Sequence, residues 1–248
     1  MVTRDADLLR ALETHSEVEL RNLLNAGLDP LAPLRGKTPI EWLVEMYLRS
    51  DRFPACLRLL LDRGAVLTDP KLTSVLLNDA EALRHELHAD SSLLEHRVSM
   101  ASTFTPLNDA TLLHVAAEYG HLAALDVLLE FGAEVDARAG VDERGLGRQT
   151  ALFHTVNSNA NRSAPLMQRL LDAGARADVR IDGLVWGKGF DWETVLFDLT
   201  PIAYAQFGLL PQMQRNEQDI WDNVRALLDH AKRKARIENV PNRYLASS

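Results

Sequence analysis

One short signal recurs along this sequence and constrains it more than any other feature. Leu60-Leu61 is followed by Gly64-Ala65, Leu128-Leu129 by Gly132-Ala133, and Leu170-Leu171 by Gly174-Ala175. A leucine pair on the buried stripe of a helix, followed by a glycine able to take the left-handed conformation, reads as a helix end. Openings recur as well: Gly36-Lys37-Thr38-Pro39-Ile40, Gln149-Thr150-Ala151-Leu152 and Thr200-Pro201-Ile202-Ala203. Gly64 and Gly132 lie 68 residues apart, two periods of 34, which places a degenerate unit between them at Leu72 to His88. Units this small cannot bury an apolar face alone, so they must stack on one another.

The best-formed unit begins near Asp109 and reads Thr111-Leu112-Leu113-His114-Val115-Ala116-Ala117, then Gly120-His121, Leu128-Leu129 and Gly132-Ala133. Thr111 suits a helix start. Leu113, Ala116 and Ala117 form an apolar face at helical spacing, and the two alanines let a neighbouring helix approach closely. Leu122, Leu125, Leu128 and Leu129 supply the stripe of a second helix. This stretch resembles the ankyrin repeat, whose signature is T-P-L-H-x-A at a period of about 33 residues. It departs from that signature only at Leu112, which stands where the family has proline. The resemblance implies an all-α ankyrin-repeat solenoid of about six helix-turn-helix units. They fall near 6–35, 36–68, 69–108, 109–147, 148–198 and 199–232, within a repeat domain over 1–235, with a flexible tail at 236–248. The first and last units are expected to serve as caps. The resemblance also implies a structural role for His114 and a protein-binding function.

Composition narrows the function. The formal net charge is −8 and no clustered basic face is evident, so a nucleic-acid partner is not expected. The run Lys232-Arg233-Lys234 with Arg236 reads as cations at a helix C-terminus. Cys56 is the only cysteine, which excludes an internal disulfide and a cysteine-based metal site. The N-terminus lacks an apolar signal region, and no stretch approaches the roughly 20 apolar residues that span a bilayer. A cytoplasmic monomer with no membrane association and no cofactor is the expectation.

Function in a repeat protein is sought where units carry extra residues, because insertions map to loops on one face. Three stand out. Ala137 to Arg148 is a glycine-rich finger of mixed charge containing Asp142, Arg144 and Arg148. His154 to Ser163 is a polar turn with Asn157, Asn159 and Arg162; Ser163 and Pro165 suit the start of the helix that follows. Val179 to Phe197 alternates around Gly187-Lys188-Gly189 and predicts a β-hairpin. Pairing Trp186 with Phe190 would set Leu184 opposite Trp192 and gather these four on one face near the tip. The other face, at the base, would carry Val179, Ile181, Val195 and Phe197. The tip either packs internally or meets a partner, and tryptophan is enriched among binding hot spots.

Catalytic constellations are missing: there is no nucleophile elbow, Walker loop or dinucleotide glycine pattern. His85 and His88, with His96 nearby, lack a defined third ligand and give no metal site. The leading expectation is a non-catalytic scaffold that binds a protein through Asp142, Arg144, Arg148, His154, Asn157, Asn159, Arg162, Leu184, Trp186, Lys188, Phe190 and Trp192. Two alternatives stay open. One is a small-molecule-binding or enzymatic variant with a pocket between the fingers, where Asp142 and Asp191 would converge on His154. The other is an inhibitor or immunity-type protein directed at one enzyme.

Overall fold

The recurring Leu-Leu-x-x-Gly-Ala signal has one stereochemical meaning wherever it occurs. In the computed structural model, which describes residues 2–102, 104–210, 213 and 215–232, Gly64, Gly132 and Gly174 have φ of 87°, 88° and 92°. Each glycine N–H returns to the second leucine carbonyl (Gly64 to Leu61, 2.9 Å; Gly132 to Leu129, 3.1 Å; Gly174 to Leu171, 2.9 Å). Each following alanine N–H returns to the first leucine carbonyl, at 3.0, 2.9 and 2.9 Å. This is the Schellman closure, which satisfies carbonyls that a helix end would otherwise leave unpaired. Gly27 and Leu28 make the same pair of bonds to Leu24 and Leu23.

The closures end the second members of successive helix pairs. The pairs are α1 (Val2–Glu13) with α2 (Glu17–Asn25), α3 (Pro39–Glu45) with α4 (Phe53–Leu61), and α5 (Thr73–Leu76) with α6 (Ala80–Ala89). There follow α7 (Leu112–Tyr119) with α8 (Leu122–Glu130), a 3-10 turn (Ala151–His154) with α9 (Ala164–Asp172), and α10 (Pro201–Phe207) with α11 (Glu217–His230). First members pack on first members: α1 on α3, α5 on α7, and both α7 and α10 on the 151–154 turn. Second members do likewise: α2 on α4, α6 on α8, α8 on α9, and α9 on α11. Leu57, Leu60, Leu83, Leu87, Leu125, Leu128, Leu170 and Leu227 fill the core with almost no exposure. Side chains fix the helix starts. Glu41 accepts from both the backbone N–H and the hydroxyl of Thr38 ahead of Pro39, and Thr200 accepts from Ala203 N–H ahead of Pro201.

The expected all-α solenoid of six helix-turn-helix units with a single inserted hairpin is not what the chain forms. Among the described residues there are eleven α-helices, making about half of the structure helical, and two small antiparallel sheets. β1 (Arg97–Met100) pairs with β2 (Leu107–Thr111), and β3 (Ile181–Trp186) pairs with β4 (Thr194–Leu199). The 69–108 stretch departs because α5 is a single turn and β2 runs straight into α7. At 148–198 the first helix shrinks to one 3-10 turn, as Thr155, Val156, Asn157 and Ser158 follow it. β-Branched side chains lose rotamer freedom in a helix, and Asn and Ser compete for its backbone bonds. Ser163 makes no side-chain cap to α9; its own N–H donates instead to Ser158 Oγ at 2.9 Å.

Hairpin register also differs from the expectation. Trp186 pairs with Thr194 and Leu184 with Leu196, so residues 187–193 form the connection. That segment folds into two turns, with Phe190 N–H donating to Gly187 O at 3.1 Å and Glu193 N–H to Phe190 O at 2.9 Å. The turns fold Trp192 back over Gly187, where there is no space for a β-carbon. The face expected near the tip is therefore divided: Leu184 and Trp186 are buried, while Phe190 and Trp192 are exposed. The expected base face divides too, since Val179 and Ile181 are buried and Phe197 is 68% exposed. The tail expected at 236–248 lies outside the described residues.

Candidate functional site

α7 brings a carboxylate to a place where water barely reaches. Glu118 lies on its last turn with a side chain 6% exposed. Three groups converge on it. His154 Nδ1, from the 3-10 turn, is 2.9 Å from Oε2; Ser102 Oγ donates to Oε1 at 2.9 Å; Arg49 Nη2, from the α3–α4 connection, reaches Oε1 at 3.5 Å. Arg49 also donates to the Met46 carbonyl and lies 4.2 Å from the Tyr119 ring centre. A buried carboxylate needs such compensation, because losing its hydration is costly. Burial around it pushes the Tyr119 hydroxyl up to about 12.

His114, one turn earlier on α7, is held neutral by geometry. Its Nδ1 accepts from the Thr111 backbone N–H at 3.2 Å, and its Nε2–H donates to the Gln149 carbonyl at 3.0 Å. Burial, with the neighbouring His154 second, lowers its pKa to about 3. Its ring meets His154 edge-on at 5.7 Å.

Arg49, Glu118, Tyr119 and His154 line a cavity of about 590 Å³, behind which His114 is buried. Another wall is aromatic. Phe104 stacks on Trp186 (centroids 5.7 Å apart, planes at 23°) and on Trp192 (6.2 Å, 30°), and the two tryptophans meet at 4.6 Å. Outside the cavity lining, Phe190 stacks on Trp192 at 4.7 Å. The rim carries Asn157, Ser158, Asn159 and Arg162, opposite the loop Tyr47–Asp51. Arg162 reaches Asp51 across the opening at 2.9 Å. Arg215 completes the lining. Its Nε donates to Asn157 O at 2.6 Å and its Nη1 to Met213 O at 2.7 Å. Two atoms among the lining side chains are buried without a partner, Arg49 Nε and His154 Nε2. A volume of this size, apolar on one side with a few polar groups opposite, is the ordinary form of a binding site.

Of the twelve residues singled out in the sequence, His154, Asn157, Asn159, Arg162, Trp186 and Trp192 line the cavity together. Leu184 is fully buried beneath it. Asp142, Arg144 and Lys188 do other work. Asp142 accepts from the N–H groups of Arg144 and Leu146 at 2.9 Å each, which shapes the 137–148 finger. Arg144 pairs with Glu193 and Lys188 with Glu143, both at 2.9 Å, and Gly147 N–H donates to Gly183 O at 2.8 Å. The finger and the hairpin are thus fastened side by side. Arg148 and Phe190 are exposed outside the cavity. The carboxylate at His154 is Glu118, not Asp142 or Asp191. Sequence reasoning passed over Arg49, Phe104, Glu118 and Arg215.

Among the described residues, no cluster of three or more His, Cys, Asp or Glu suits a metal ion, and no helix is long and apolar enough to cross a membrane. No curated protein matches the chain. Residues 108–139, which hold β2, α7 and α8, match the family model of the ankyrin repeat. The chain thus carries an ankyrin repeat at residues 108–139.

Proposed function

We propose that the chain is a non-catalytic protein-binding module whose partner inserts a segment into the cavity at His154, Trp192 and Arg162. Ankyrin repeats mediate protein interactions, which supports the class of function. The observation that carries the reading is the cavity itself. Its two tryptophans stand on a hairpin fastened to the neighbouring finger, and its polar rim on the connection between the 151–154 turn and α9. Groups held this way lose little freedom on binding, so contact free energy is not spent on ordering them. Trp192, 40% exposed over the cavity, has the chemistry of a hot spot.

Affinity capture from the native host's lysate tests this with three baits: the wild type, a Trp192→Ala/Arg162→Gln variant, and Phe197→Ala as a control at an exposed site outside the cavity lining. The expected result is one protein held by the wild type and the control and lost by the double variant, with all three baits folded by circular dichroism. A partner held equally by all three would remove the cavity from the interaction. No partner for the wild type would count against the protein-binding reading itself.

A further inference from the structure

The arginines of the cavity are not equivalent. Arg49 faces Glu118, and Arg162 faces Asp51. Arg215 has no carboxylate within ion-pair distance among the described residues. It is partly buried, and its bonds go to two backbone carbonyls, Asn157 O and Met213 O. Those carbonyls hold its position without neutralising its charge. Burial lowers its pKa, since a guanidinium that loses water is disfavoured in its charged form. Its guanidinium lies 5.8 Å from the centre of Phe104, whose ring also stacks on Trp186 and Trp192. Among the described residues, then, a cation without a carboxylate partner adjoins a three-ring wall. In the same lining, the buried Nε2 of His154 has no partner among the described residues.

We propose that the cavity takes a carboxylate-bearing aromatic group, with the carboxylate paired to Arg215 and the ring packed at Trp192 against the wall that it forms with Phe104 and Trp186. This rests on the reading of the cavity as the recognition site. A guanidinium donates charge-assisted hydrogen bonds to a carboxylate, and the two backbone anchors at Nε and Nη1 leave Nη2 to make them. Trp192, 40% exposed, presents the open edge of this wall to a second aromatic ring. A C-terminal aromatic residue of a partner chain and a free aromatic acid present the same chemistry, and the measurement separates them.

The probes are N-acetyl-tryptophan, its neutral amide, and a hexapeptide ending in tryptophan with a free or an amidated terminus. Binding is followed by calorimetry and by the tryptophan indole N–H signals of the ¹⁵N-labelled protein. Both carboxylates are expected to bind about tenfold or more tightly than their amides, the value of one charge-assisted pair. Arg215→Gln should abolish that difference, and Arg162→Gln should keep most of it. A hexapeptide acid at least about tenfold tighter than N-acetyl-tryptophan assigns the group to a chain terminus, and equal affinities assign it to a free acid. The proposal is overturned if acid and amide bind the wild type equally, or if neither acid binds at millimolar concentration. The acid-against-amide comparison needs no variant, so a misfolded Arg215→Gln protein would leave the answer intact. A partner still captured through Trp192 while acid and amide bind alike would retire this proposal alone. Acid selectivity without any captured protein would retire the protein-binding reading alone.

Discussion

Glu118 gathers more of the site than any other residue, and nothing in its sequence setting announces it. A carboxylate in Ala116-Ala117-Glu118-Tyr119-Gly120 reads as the solvated edge of a helix, since charged residues are seldom fully buried. Its three partners come from positions 49, 102 and 154, and only the fold brings those together. His154 reads in the sequence as part of a polar turn, and its buried partner, Glu118, lies 36 residues away. Arg215 was invisible for a related reason: a cation is unmatched only if its surroundings are known. Truncating Glu118 to alanine leaves Arg49 and His154 buried and unpaired, so the expected loss is about 3 kcal/mol in urea unfolding. An Arg49→Met/Glu118→Met double variant should lose clearly less than the two single changes added, because it removes both charges together. Additive losses would mean that the pair is not coupled.

At the scale of elements, the helix ends were legible and the hairpin register was not. The leucine pair and the glycine lie within six residues, so their geometry is local and reads directly from the chain. A β-carbon at Gly64, Gly132 or Gly174 would touch nothing within 4 Å. Each Gly→Ala change there should therefore cost only the left-handed conformation, about 1 kcal/mol and similar at all three sites. A much larger loss at one of them would reveal packing that the closure does not explain. Register, by contrast, depends on turns that Glu193 and Gly187 help to build, with Gly189 N–H donating to Glu193 Oε2 at 2.9 Å. A three-residue glycine tip was the simplest local solution, and it lost to a longer connection that sets Trp192 over Gly187. The two tryptophans of the hairpin should then behave differently. Trp186, 5% exposed, should cost roughly 3–5 kcal/mol on truncation to alanine, as a core aromatic does. Trp192, 40% exposed, should cost far less and show its effect in binding instead. Equal losses would make the whole tip structural.

For the molecule as a whole, stability is tied to three histidines that serve as neutral struts between elements. His15 from the α1–α2 turn is 2.8 Å from Ser50 Oγ, His121 between α7 and α8 donates through Nδ1 to the Val75 carbonyl at 2.8 Å, and His114 bridges Thr111 and Gln149. Each joins stretches of the chain distant in sequence or tightens a helix start, and none has room for an added proton's hydration. Burial, the largest cause in every case, lowers their pKa values from 6.5 to about 4 for His15, about 3 for His114 and about 4 for His121. The unfolded chain therefore takes up protons as the pH falls through 6.5, while the folded chain stays neutral at these sites down to about 4. More protons on the unfolded side means that stability is complete above pH 6.5 and is lost as the pH drops toward 4. Each histidine adds a slope of up to about 1.4 kcal/mol per pH unit in that window. Three such slopes acting together are comparable in size with the roughly 5–15 kcal/mol of an ordinary domain. Urea midpoints measured from pH 8 to pH 4.5 should be flat to about 6.5 and then fall steeply. His121→Asn, which keeps a donor for Val75 but cannot take up a proton, should make the fall shallower by about one histidine's share. A wild-type profile that stays flat to pH 4.5 would mean that these side chains can be charged in the folded state. The packing that joins α7 to its neighbours would then be open to water.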